Sequence, residues 1–126
     1  MDRAEEERRT WVHPEQRLKK HSSLSDAELM TLVKDRETLC NFTWAPYMHS
    51  PLLSRWLHRI KTPALVISGA EDGITPPEYG RTYAAAIPDC RFEVINGAAH
   101  MPHVEQVDQF TGTVADFVSL ETSAAA

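Results

Sequence analysis

Apolar residues change their spacing along this chain near residue 60. Before that point they are sparse and set among charges, and after it they gather into two short continuous runs separated by helix-like spacing. Residues 2 to 20 alternate Glu, Arg and Lys around only Ala4, Trp11, Val12 and Leu18, the pattern of a solvated helix or a frayed, charged surface segment. Ser25-Asp26-Ala27-Glu28 fits a capping box, with Leu24 and Leu29 available as a hydrophobic staple, so a helix is expected from about Asp26. Leu29, Leu32, Val33 and Cys40 give it one narrow stripe for burial. Ser50-Pro51 then reads as an N-cap before a first-turn proline, predicting a short helix from Pro51 to about Arg59 with Leu52, Leu53, Trp56 and Leu57 available for packing.

The second half is more apolar. Ala64-Leu65-Val66-Ile67, bounded by Pro63 and Gly69, reads as a strand covered on both faces, as in a parallel sheet. Pro76-Pro77 opens a helix to about Ala86, stopped by Ile87-Pro88-Asp89. Arg91 to Asn96 reads as a second strand, and Val104 to about Ser119 as a last helix carrying Val107, Phe110, Val114, Phe117 and Val118. Strand, helix, strand in this order makes a parallel crossover, which puts both strand C-terminal ends at one sheet edge. Three pieces follow: a helical segment over 1–60, an α/β piece over 61–120 and a tail over 121–126.

Composition narrows the classes. The 126 residues carry 13 Lys and Arg against 18 Asp and Glu, a net charge of −5, which is a poor match for nucleic acid. Cys40 and Cys90 form neither a C-x-x-C pair nor a disulfide framework, so a reducing, cytoplasmic setting is expected. The first residues contain no apolar signal region, and no run approaches the roughly 18 apolar residues of a membrane span. Neither membrane nor nucleic acid is an expected partner.

The candidate chemistry lies just past the two strand ends. Asp72 follows the first and His100 the second, and open α/β sheets gather reactive groups in the crevice outside those ends. A histidine there can act as general base and an acid beside it can orient the ring and stabilise its charged form. His100-Met101-Pro102-His103 carries a His pair, but no carboxylate or Cys cluster accompanies it, and His13, His21, His49 and His58 have no ligand spacing. No metal and no cofactor are expected.

Pro63 to Pro76, then Ala86-Ile87-Pro88, then Gly97-Ala98-Ala99-His100-Met101-Pro102-His103-Val104-Glu105 resemble the C-terminal third of α/β-hydrolase-fold enzymes, with agreement over roughly residues 44 to 119. The resemblance implies that Asp72 is the triad acid and His100 the triad base of an enzyme cleaving ester, amide or carbon-carbon bonds. It implies a partial α/β-hydrolase fold, in which two parallel strands with a crossover and C-terminal helices follow a helical, lid-like segment. Trp44, Tyr47 and Met48, in the stretch that looks like the return from lid to core, are candidates for lining an acyl pocket. One departure is Ala99, where the family commonly has Gly; Ala reaches positive φ at greater cost.

A second departure is larger. The nucleophile elbow G-x-S-x-G does not occur, since none of Gly69, Gly73, Gly80, Gly97 and Gly112 frames a Ser at that spacing. Two parallel strands also leave both sheet edges unpaired. The expectation is a C-terminal segment of a hydrolase, inactive alone, exposing the Val66 or Ile95 face or pairing with another copy through a sheet edge. Its partners would be a nucleophile-bearing chain and, once complemented, a small-molecule substrate. The alternative is a non-catalytic remnant or binding module that keeps the fold.

Overall fold

The computed structural model describes residues 3–17, 23–45 and 49–124. Two short helices open it, α1 (Arg3–Thr10) and α2 (Pro14–Arg17), followed by the long α3 (Asp26–Thr43). Two 3₁₀ turns, Leu53–Arg55 and Leu57–Arg59, lead into β1 (Ala64–Gly69). Then come α4 (Pro77–Ala85), β2 (Cys90–Ile95), α5 (Pro102–Glu105) and α6 (Val107–Ala124). The last helix thus runs into the stretch expected as a tail.

β1 and β2 pair in parallel, with Ala64 opposite Cys90 and Gly69 opposite Ile95. The helix between them, α4, packs on both strands, and α6 packs on β2. This is the expected crossover, and its consequence is that Gly69 and Ile95 end side by side. Ile95, Ala98 and Ala99, at and just past that end, are at most 1% exposed, and Leu57, Ala84 and Ile87 are buried elsewhere in the fold.

Start signals that are local are realised. Ser25 has extended backbone, its hydroxyl accepts from the Glu28 amide at 3.3 Å, and its own amide donates to Glu28 Oε2 at 2.8 Å. The apolar stripe behind that cap is not buried, contrary to expectation: Leu32 is 47% and Val33 60% exposed, and α3 buries no residue. The helices that pack on the strands are α4 and α6, and α3 is not among them.

Three other expectations need correction. The helix from Pro51 to Arg59 is two 3₁₀ turns in which only Leu57 is buried, and no side chain caps the first turn. A run this short nucleates an α-helix poorly and settles into tighter i to i+3 turns. The last helix is broken at Gln106 (φ −131°, ψ 61°), because Glu105 and Gln106 turn their side chains back to the loop before His100. Ile95 does not present an open apolar face; it is 1% exposed, with α4 and α6 packed against its strand and the 97–99 loop folded beside it. Val66 on β1 is half-buried, and the most exposed large apolar side chains among the described residues are Phe42 and Trp44.

Candidate active site

The loops that follow the two strands are tied to each other where they begin. The Ala70 amide donates to the Ile95 carbonyl at 2.9 Å and the Glu71 amide to the Ala98 carbonyl at 3.0 Å, so the loop after β1 and the loop after β2 run against each other. Gly69 makes this approach possible, since a Cβ there would collide with the carbonyl oxygens of Ala98 and Ala99. The turn out of β2 uses Gly97 in the left-handed region, at φ 73°. The strained position of this loop is therefore a glycine two residues before Ala99.

Asp72, three residues after β1, is buried and its carboxylate is fully engaged. Oδ1 accepts from the amides of Ile74 and Thr75 at 2.8 and 2.9 Å, an Asx-type turn that fixes the side chain on its own loop. Oδ2 accepts from the Thr75 hydroxyl at 2.9 Å and lies 2.9 Å from Nδ1 of His100. Thr75 Oγ1 is also 3.4 Å from that nitrogen. Burial pushes the Asp72 carboxyl up, but the His100 ring, the Thr75 and Ile74 amides and the Thr75 hydroxyl outweigh it and hold the carboxyl below the usual carboxylate value.

His100 is held on its backbone as firmly as Asp72 is on its side chain. Its amide donates to the Thr10 carbonyl at 3.0 Å, and the preceding Ala99 amide donates to Glu105 Oε2 at 2.8 Å. The Gly97 carbonyl accepts from Gln106 Nε2 at 2.9 Å. The charged N-terminal segment, expected as a solvated surface piece, reaches this site: the Gly73 amide donates to the Arg9 carbonyl at 3.0 Å, and the Val12 amide to Glu105 Oε1 at 2.8 Å. With Nδ1–H donated to Asp72, the His100 ring offers Nε2 for proton exchange, and its side chain remains 34% exposed. Such a pair can accept a proton from a hydroxyl and stabilise the resulting imidazolium.

A sequence profile of the alpha/beta hydrolase fold matches residues 12–107. The chain belongs to the α/β-hydrolase fold family. Among curated relatives of this chain are the pimeloyl-(acyl-carrier protein) methyl ester esterase of Neisseria meningitidis serogroup B, 34% identical over 62 residues, and the proline iminopeptidase of Heyndrickxia coagulans, 32% identical over 63 residues. These alignments cover 49% and 50% of this chain but only 24% and 22% of the relatives. The chain therefore spans about a quarter of the length of the curated relatives it matches. Solved structures agree: a malate-bound thermophilic esterase from Thermogutta terrifontis superposes with a TM-score of 0.53 at 32% identity, covering 54% of this chain and 25% of that one. The proline iminopeptidase of Mycobacterium smegmatis gives 0.55 at 31%, covering 59% and 24%.

Of the candidate pocket residues, Trp44 alone lies among the described residues. Trp44, at the C-terminal cap of α3, is 74% exposed, and Tyr47 and Met48 lie outside the described residues. An open cleft of about 600 Å³ sits nearby, lined by Phe42, His49, Leu53, Tyr79 and Tyr83 among others, and its lining includes neither Asp72 nor His100. Among the described residues no group of three or more His, Cys, Asp or Glu comes together as a metal site, and no helix is long and apolar enough to cross a membrane. His103 packs edge-on against Phe110, with ring centroids 5.9 Å apart.

Sequence reasoning missed Thr75, Glu105, Gln106 and the Arg9–Val12 stretch. A signal existed for Thr75, since Asp followed three residues later by Thr is a common self-bonded turn. Thr10 and Arg9 act through main-chain carbonyls, which leave no trace in residue type.

Proposed function

We propose that this chain is the acid and histidine portion of a hydrolase that cleaves ester or amide bonds by Ser-His-Asp chemistry, with the nucleophile and oxyanion donors supplied by polypeptide outside these residues. The observation that carries the reading is the 2.9 Å approach of His100 Nδ1 to a buried Asp72 carboxylate across 28 residues of sequence. In this reading His100 Nε2 takes the proton of a serine hydroxyl as it attacks the carbonyl carbon and returns it to the leaving group, while Asp72 fixes the ring and stabilises the imidazolium. The esterase and iminopeptidase relatives favour carboxyl esters or N-terminal peptide bonds as substrates. No G-x-S-x-G segment occurs in the sequence, and loss of even one oxyanion donor costs about a hundredfold or more in rate. The isolated chain accordingly gives no normal turnover.

The test is complementation. The chain is joined to the elbow-bearing N-terminal portion of a related α/β-hydrolase and assayed on p-nitrophenyl acetate and on prolyl p-nitroanilide. Turnover that falls by about three to four orders of magnitude in His100→Ala and Asp72→Asn supports the assignment. Turnover indifferent to both substitutions overturns it.

A further inference from the structure

The carboxylate of Glu105 is divided between two amides that are remote in sequence. Oε2 accepts from Ala99, the residue immediately before His100, and Oε1 accepts from Val12, both at 2.8 Å. Ala99 is 1% exposed, so within the protein its amide has no route to bulk water and depends on this acceptor. The neighbouring contacts run in the same direction: the His100 amide reaches Thr10, and the Gly73 amide, next to Asp72, reaches Arg9. α5 ends at Glu105 after a single turn, and the chain bends at Gln106, which places the carboxylate beneath the loop rather than on a helix face.

We infer that Glu105 is a positioning residue for His100. One oxygen fixes the peptide that carries the histidine, and the other anchors the N-terminal strap that receives the His100 amide. Glu105 touches neither substrate nor reacting atoms; it acts by holding the ring where Nδ1 meets Asp72. A charged acceptor suits this task because it offers two strong, directional lone-pair sites at once, whereas an amide side chain offers one acceptor oxygen. The inference rests on the reading of Asp72 and His100 as an acid–base pair.

The experiment is NMR of the full chain labelled at the histidine ring nitrogens, with Glu105→Gln, Glu105→Ala and Gln106→Ala compared. The readouts are the downfield Nδ1–H resonance of His100 and its exchange with water. In the unaltered chain that resonance is expected. Glu105→Ala broadens it away, and Glu105→Gln, keeping one acceptor, leaves it visible with about tenfold faster exchange. Gln106→Ala, which frees only the Gly97 carbonyl, leaves it intact. Should Glu105→Ala fail to fold, Glu105→Gln carries the test. A His100 resonance unchanged in both Glu105 variants overturns the inference while leaving the acid–base pair standing; absence of the resonance from the unaltered chain overturns the pair itself.

Discussion

The backbone amide of His100 donates to the carbonyl oxygen of Thr10 at 3.0 Å, joining the loop after the last strand to the segment nearest the N-terminus. Arg9 and Val12 extend the same seam to Gly73 and Glu105, so the loops that carry Asp72 and His100 share one wall. Deleting residues 1–12 therefore strips partners from the His100 and Gly73 amides together. The expected loss is about 1–3 kcal/mol of stability, read as a lower urea midpoint. A midpoint equal to that of the full chain would show that the strap does not hold the loops.

The Asp72 carboxyl, held below its usual value of 3.8 by its hydrogen bonds, makes stability depend on pH in a defined direction. The unfolded carboxyl takes up its proton at higher pH than the folded one, so the unfolded state binds more protons and stability rises with pH across that interval. The Asp72 contribution is complete above about pH 5 and is lost as pH falls below the usual carboxylate value and through the folded one. Thermal melts of the chain and of Asp72→Asn are expected to differ most between pH 5 and 7 and to converge toward pH 3, conditions set by ordinary carboxylate titration. A gap that stays constant down to pH 3 would count against the depressed carboxyl.

Thr75 gives a sharper local test. Its hydroxyl donates to Asp72 Oδ2, the same oxygen that meets His100. Thr75→Val removes that donor at nearly constant volume and is expected to raise the Asp72 titration and cost about 1 kcal/mol, whereas Thr75→Ser leaves both near their original values. Carboxyl carbon shifts followed through the acid range read the titration directly. Equal titration in Thr75→Val and the unaltered chain would contradict the assigned role.

The core makes a paired prediction. Ile95, 1% exposed, seals the end of β2, while Leu32 on α3 is 47% exposed. Ile95→Ala is expected to cost about 2–5 kcal/mol, and Leu32→Ala under about 0.5 kcal/mol, by denaturant unfolding. A large loss from Leu32→Ala would mean that the α3 stripe is covered in solution.

What the sequence disclosed was whatever depends on near neighbours or on strand order. The Ser25 and Glu28 cap is a four-residue signal, and the two strands stand out between prolines and glycines. Asp72 and His100 were legible because a parallel crossover must bring residues past both strand ends together. The supports of that pair were not. Thr10 and Arg9 contribute only carbonyls, and Glu105 reads in sequence as one more helical carboxylate. The break at Gln106 was hidden for the same reason: Val104 and Val107 keep a helical spacing across it, and the side-chain bonds to Gly97 and Ala99 that bend the chain are tertiary. The burial of the α3 stripe was over-read, because a helix pattern states which face is apolar and not whether anything covers it.

Hydrolysis of p-nitrophenyl acetate by the chain alone, beside His100→Ala, tests most directly whether the acid–histidine pair lacks its nucleophile within these residues. Both proteins are expected to match the rate of buffer with free imidazole at equal histidine content. Saturable turnover by the unaltered chain that His100→Ala abolishes would contradict the account and place a working nucleophile inside it.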